Sequence, residues 1–261
     1  MKVGFVFGNG SLPCVLLEKL PNSVCVILDE VPNNIGNAEV YQKFSLTQIP
    51  QMLDFFESNS VTHICLAGFV KKPQIGMKML NFRLAPLLFK ILFLPNKGDN
   101  ALLTTILSYV EEKGFKIISA TEILPSLLAK SGVLTDAKPS LNQEKEINLG
   151  INFLEDISKY DISQACIVQN HAITALEGIE GTKKMINRMA EFNNNAILVK
   201  MPKIGQTLKV DMPTIGIETI NDCIKANIVG IAIKAEQTIV LDFDTVIKKA
   251  NENGIFIISV I

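Results

Sequence analysis

The runs 24–29 (VCVILD) and 62–67 (THICLA) are almost continuously apolar and rich in β-branched residues. A strand with one wet face alternates polar and apolar residues. Runs like these fit where both faces are covered, as in the interior of a parallel sheet flanked by helices. A third apolar run, 2–7, is closed by Gly8-Asn9-Gly10. Residues 46–57 place Leu46, Ile49, Leu53 and Phe56 at helical spacing. Asp99 stands where a helix N-cap belongs, ahead of Leu102, Leu103, Ile106, Leu107 and Val110, with Gly114 closing the helix. Residues 116–119 and 121–129 read as a further strand and helix. The alternation predicts a Rossmann-like α/β domain over 1–131.

Residues 131–140 (SGVLTDAKPS) are polar, turn-rich and without periodicity, so a linker is expected at 132–142 and a second α/β domain at 143–261. Its first helix should run from 143 to 159. Strands are expected at 165–169, 172–177, 197–201, 228–234, 237–241 and 255–260, with helices at 185–192, 217–226 and 245–253. The runs 228–234 and 237–241 are separated only by Ala235-Glu236, which predicts a hairpin and hence a mixed sheet.

Composition narrows the function. A net charge of −1, without blocks of basic residues, argues against nucleic-acid binding, and the absence of tryptophan removes indole as a base-stacking platform. The five cysteines are scattered and mostly lie in apolar runs, which fits a reducing cytoplasm better than a disulfide framework or a zinc site. The apolar stretch 84–94 is too short to span a bilayer and is broken by Pro86 and Lys90. Met1-Lys2 leads directly into a strand-like run, so no signal peptide is expected.

Charged and amide groups concentrate at 166–216, where six basic side chains face four acidic ones. An anionic ligand is the natural expectation, because α/β proteins gather their sites at strand ends. Gly10 and Ser11, in the turn after the first strand, suit either phosphate contact or a tight βα turn with Ser11 as a helix cap and Pro13 just inside it. The third glycine of a dinucleotide fingerprint is missing. Gly98 and Asp99 could hold a ligand hydroxyl or a metal-bound water, but an ordinary helix cap at Asp99 is the favoured reading. Glu177 and Glu180, beside Gly181 and Thr182, have the oxygen chemistry of a divalent-cation site next to a helix start, or of a solvated turn. Lys200, Lys203 and Lys209 surround a Pro- and Gly-containing loop and offer point charges to phosphate. Asp211 follows the alternating stretch 207–210, which predicts an acid at a strand end ahead of a rigid Pro213–Gly216 turn. No Ser/His/Asp or Cys/His arrangement emerges.

In their order, the segments GNGSLP (8–13), GDNALL (98–103), GFKIISATEILPSLL (114–128), IVQNHAITALEGIEGT (167–182), ILVKMPKIGQTLKVDMPTIG (197–216) and GIFIISV (254–260) cover nearly the whole chain. Together they resemble the UDP-2,3-diacylglucosamine pyrophosphatase family of lipid A biosynthesis. The resemblance implies two domains with the substrate held between them. It implies Mg²⁺-dependent hydrolysis of the UDP-sugar diphosphate to UMP and the diacylated glucosamine 1-phosphate, with water attacking the phosphorus nearer the sugar. It makes Asp211 the essential aspartate, able to ligate Mg²⁺ and hold the attacking water. Beside it, Glu180 is the expected further metal ligand, and Gly10, Ser11, Gly98, Asp99, Gln169, Gly181, Thr182, Lys200 and Lys203 are the expected substrate contacts. The acylated UDP-glucosamine would be met at the inner face of the inner membrane by a cytoplasmic protein, with 84–94 or 77–80 supplying an apolar groove; a homodimer is compatible with the apolar second half. Where the family reads GDDAL, QDG and EGTD, this chain has Asn100, Asn170-His171 and Lys183. A carrier that binds the UDP-sugar without cleaving it is the competing reading.

Overall fold

The computed structural model describes residues 1–28, 40–70, 82–94, 98–205 and 207–261. They form two compact units, Met1–Leu124 and Pro125–Ile261.

The first unit runs β1 (Val3–Phe7), α1 (Leu12–Lys19), β2 (Val24–Leu28), β3 (Val40–Phe44), α2 (Ile49–Ser58), β4 (His63–Ala67), α3 (Ala85–Leu92), α4 (Asp99–Glu112), β5 (Lys116–Ile117) and α5 (Ala120–Ile123). All strand pairs are parallel, in the order β3-β2-β1-β4-β5. This is the order of a doubly wound sheet, with the topological switch between β1 and β4. The apolar runs became the interior strands: β2 is buried along its whole length, and Phe5 and Phe7 are fully buried in β1. β3 escaped sequence reading because VYQKF is an edge strand whose first four residues are exposed. The helix expected at 121–129 shrinks to the single turn of α5. Pro125 disfavours helical geometry in the residue before it, and Leu124 leaves the helix at φ −133°, ψ 81°.

The second unit runs β6 (Gly132–Val133), α6 (Leu141–Ile157), β7 (Ala165–Gln169), β8 (Ala172–Leu176), α7 (Thr182–Arg188), β9 (Ala196–Lys200), β10 (Thr214–Ile215), α8 (Ile217–Lys225), β11 (Ile228–Lys234), β12 (Ile239–Val240), α9 (Phe243–Glu252) and β13 (Phe256–Val260). Its main sheet has the order β6-β13-β11-β9-β7-β8. The centre, β13-β11-β9, is parallel, while β6, β7 and β8 are antiparallel to their neighbours. A mixed sheet was expected, but its origin differs. The 228–234/237–241 hairpin does not form, because β12 pairs in parallel with β10 in a separate two-stranded sheet. Ala235 donates instead to the carbonyl of Val260, Glu236 turns the chain at φ +57°, and Ile239 donates to Pro213. Residues 132–133, in the stretch expected as linker, add an edge strand to this sheet.

Strand alternation sorts the core. Ile197 and Val199 join Ile147 and Leu154 of α6 on one face, whereas Leu198 joins Met185, Ile186, Ile220, Cys223, Val246 and Ala250 of α7, α8 and α9 on the other. Ser140 opens α6 with a capping box: its N–H donates to Gln143 Oε1 at 2.8 Å while its hydroxyl accepts from the Gln143 N–H. Gly150 lets α6 lie close to the sheet, since a Cβ there would stand 2.7 Å from the Val199 side chain.

The β7–β8 turn carries two consecutive left-handed residues, Asn170 (φ +52°) and His171 (φ +59°). Asparagine tolerates this geometry; histidine pays more, because its Cβ crowds the following carbonyl. The turn is held by the His171 N–H, which donates to the buried Glu146 carboxylate at 2.8 Å. Glycine would keep that hydrogen bond and lose the strain. His171→Gly is expected to raise stability by about 0.5–1 kcal/mol, the relief being partly offset by the greater freedom of the unfolded chain. Chemical denaturation checks it, and a lower midpoint would contradict the strain argument.

Candidate active site

Strand direction decides which side chains meet. β7 is antiparallel to β9, so Ala165, at the start of β7, lies opposite Lys200, the last residue of β9. β8 then returns and delivers Glu177 to that same edge, where the Glu177 N–H donates to the Ala165 carbonyl at 2.9 Å. Gln169 goes the other way. It closes β7 at the far edge, about 13 Å along the strand from Ala165, and accepts a hydrogen bond from the Asn194 N–H at 2.7 Å.

Lys200 is buried, at 7% exposure. Its ammonium donates to the Thr214 carbonyl at 3.0 Å and to the Thr182 hydroxyl oxygen at 3.2 Å. Thr182 in turn donates to Glu177 Oε1 at 2.6 Å. Thr182 is the first residue of α7, and Gly181 (φ +79°) holds the cap position before it, so the hydroxyl serves this network rather than the helix end. Burial pushes the Lys200 ammonium below the ordinary lysine range, and the negative charges of Glu177 and Asp211 act against that shift.

Asp211 reaches this neighbourhood from an unexpected local structure. The alternating stretch 207–210 is not a strand. Val210 and Asp211 both donate to the Thr207 carbonyl at 3.1 Å, forming a helical-type turn that follows Gly205 (φ +77°). The Pro213 carbonyl then ties the segment to β12, so Asp211 enters just ahead of β10 and α8.

The other charged candidates are already engaged. Glu180 pairs with Arg188 at 3.1 Å, and hydrogen bonds from its own N–H and that of Gly178, together with Arg188, hold its carboxyl below the usual range. Lys203 pairs with Asp161 at 2.7 Å with both side chains 17% exposed. Lys183, where the family pattern has an acid, meets Glu218 at 3.1 Å on the surface. Beyond β9 and β11 lies a cavity of about 200 Å³ lined by Met201, Pro202, Lys203, Ile204, Gly205, Leu208, Lys234, Gln237 and Glu155. Sequence reading missed Lys234, although it closes the apolar run of β11 as Lys200 closes that of β9.

The first unit holds the remaining candidates. Gly10 (φ +116°) follows Asn9, which exchanges backbone hydrogen bonds with Phe69 at 2.8 and 2.7 Å across the switch between β1 and β4. Gly8 permits that approach, since a Cβ there would meet the Phe69 carbonyl oxygen at 2.6 Å. Ser11 precedes α1 with Pro13 inside it, but the Ser11 side chain makes no capping hydrogen bond because its backbone is already helical (φ −89°, ψ −19°). Gly98, rather than Asp99, occupies the cap position of α4, and the Asp99 side chain lies outside the described residues. So do residues 77–80 of the expected apolar groove. In the alternative, 84–94, α3 buries Leu87 and exposes Phe89 and Leu92, with Phe93 exposed just after it.

All five cysteines are thiols, and burial pushes those of Cys25, Cys65 and Cys166 up to about 12, far from thiolate chemistry at neutral pH. Among the described residues no three His, Cys, Asp or Glu side chains gather as a metal cluster, and no helix is long and apolar enough to cross a membrane.

These features define an α/β protein of two units, in which the second collects a buried lysine and acids at the carboxyl ends of its parallel strands. The chain belongs to the LpxI family. The LpxI N-terminal domain matches residues 2–127 and the LpxI C-terminal domain residues 130–258. A curated relative, the UDP-2,3-diacylglucosamine pyrophosphatase LpxI of Caulobacter vibrioides, is 31% identical over 206 residues, covering 76% of this chain and 74% of the relative.

Proposed function

We propose that this protein hydrolyses the diphosphate of UDP-2,3-diacylglucosamine to UMP and 2,3-diacylglucosamine 1-phosphate in lipid A biosynthesis, with Mg²⁺ as cofactor. Family membership supports the reaction. The observation that carries the site is the buried Lys200 ammonium at the end of β9, hydrogen-bonded to Thr182 and Thr214, with the negative charge of Asp211 acting on it from the turn ahead of β10. Mg²⁺ commonly takes one or two carboxylates, several waters and substrate phosphate oxygens. The residues present fit that pattern: Asp211 would hold the ion, and Glu180 would join only by releasing Arg188. When bound, the ion would offset diphosphate charge and acidify a coordinated water.

The chain's own groups divide the remaining work. Asp211 accepts a hydrogen bond from the attacking water and orients it. Lys200 donates to a phosphoryl oxygen as charge builds there, where burial makes the interaction stronger than in water. Lys234, beside the cavity, offers a second cation to the nucleotide phosphate. In the first unit, Phe89, Leu92 and Phe93, each more than 60% exposed, give the apolar surface that a lipid-linked substrate at a membrane surface calls for.

In the reaction the water oxygen bonds to the phosphorus nearer the sugar, and the bridging oxygen leaves with UMP. Purified protein with Mg²⁺ is expected to release UMP, and chelation to stop it. In ¹⁸O-labelled water the label should appear in the diacylglucosamine 1-phosphate. Label in UMP would reverse the point of attack, and binding of the UDP-sugar without any UMP would favour the carrier reading.

A further inference from the structure

We infer that Glu177 is a positioning residue, aiming the Lys200 ammonium at the reacting phosphate through the hydroxyl of Thr182; this rests on the pyrophosphatase reading above. Glu177 is 7% exposed at the end of β8, and an acid buried without purpose is costly. Its Oε1 takes the Thr182 hydroxyl at 2.6 Å, and its Oε2 takes the Gln164 N–H at 3.4 Å. A hydroxyl has one proton to give. Because a carboxylate only accepts, that proton is committed to Glu177, and the Thr182 oxygen is left with its lone pairs toward Lys200. The Thr214 carbonyl can also only accept. Two of the three ammonium protons are therefore directed by the protein, and tetrahedral geometry fixes the third. A phosphoryl oxygen of the substrate is the acceptor it awaits. Released from Glu177, the Thr182 hydroxyl could rotate its proton toward the ammonium, and the aim would be lost.

Among the described residues, the charged or titratable groups that act on Lys200 are Glu177 after β8, Asp211 before β10 and Cys223 of α8. Removing the Glu177 charge should therefore make Lys200 easier to deprotonate. This gives a readout independent of turnover.

The test uses the full chain with Mg²⁺ and UDP-2,3-diacylglucosamine, comparing Glu177→Gln, Thr182→Val and Thr182→Ser. Both of the first two are expected to lower kcat by about tenfold or more with KM changed less than about threefold, whereas Thr182→Ser, which keeps the hydroxyl, stays within about threefold of the parent. The double variant Glu177→Gln/Thr182→Val should be no worse than the poorer single variant, because both act through Lys200. In parallel, NMR of protein carrying ¹³C-labelled lysine should show the Lys200 titration midpoint falling by roughly half a unit or more in Glu177→Gln. Unchanged kcat in Thr182→Val, equal losses in Thr182→Ser and Thr182→Val, or an unmoved Lys200 midpoint would each overturn the inference. If Glu177→Gln does not fold, the Thr182 pair decides. If the parent protein releases no UMP while the Lys200 midpoint still moves, it is the pyrophosphatase reading that fails and the coupling of Glu177 to Lys200 that stands.

Discussion

Asp211→Ala is expected to lower kcat for UMP release by about 10³-fold or more, equivalent to roughly 4 kcal/mol of lost transition-state stabilisation. Binding of the UDP-sugar should change far less. The variant loses the carboxylate assigned to orient the water and hold the cation, and it withdraws a negative charge that supports the Lys200 ammonium. It should not lose the fold. The Asp211 backbone keeps its hydrogen bond to Thr207 whatever the side chain, and the residue is only partly buried, so the lost support for the Lys200 ammonium should cost about 1–2 kcal/mol of stability. A steady-state assay with a thermal melt alongside separates these effects. Turnover within tenfold of the parent would remove Asp211 from the catalytic role.

Gly230→Ala is expected to have the largest effect on stability, a loss of about 3 kcal/mol at the upper end of overpacking costs. Gly230 lies in the middle of the core sheet, opposite Phe256 of β13, and a Cβ at 230 would fall 1.9 Å from the Phe256 ring. Two effects compete. Alanine should gain about 0.5–1 kcal/mol from its smaller conformational freedom in the unfolded chain. Against it stands a buried ring, 3% exposed and packed with Ala232, Val199 and Ile147, that has little room to retreat. The clash dominates. A double variant with Phe256→Leu, which frees part of that space, should recover some of the loss; denaturation midpoints of the single and double variants give the measurement. Stability equal to the parent's would show that the ring yields freely.

Most interior strands were legible because burial on both faces leaves an unmistakable apolar run, as in β2, β9 and β11. The edge strand β3 was not, since a half-wet strand of polar residues looks like a loop. Strand pairing was also beyond local pattern. Two adjacent runs with a short gap suggested a hairpin at 235–236, yet β12 finds its partner in β10, residues away on the other side of α8. The site shows the same division. Glu177, Thr182 and Lys200 could be picked out as strand-end or helix-start groups, but their assembly depends on the direction of β7 and β8, which no single segment encodes. That direction also takes Gln169 to the opposite edge. Asp211 was singled out by resemblance, and its expected strand is a turn. The engagement of Glu180 by Arg188 and of Lys203 by Asp161 had no local signal, because each partner comes from a separate helix or turn.

The antiparallel return of β7 into β8 has a practical consequence. It leaves the 170–171 turn as an exposed handle on the second unit, remote along the strands from Glu177 and Lys200. Cys14 is the exposed native cysteine, and the other four are buried. A thiol introduced by His171→Cys in a Cys14→Ser background would therefore be the accessible sulfur, able to carry a fluorophore or spin label. Such a label would report on ligand binding to the second unit without disturbing Glu177 and Lys200 at the opposite end of the sheet.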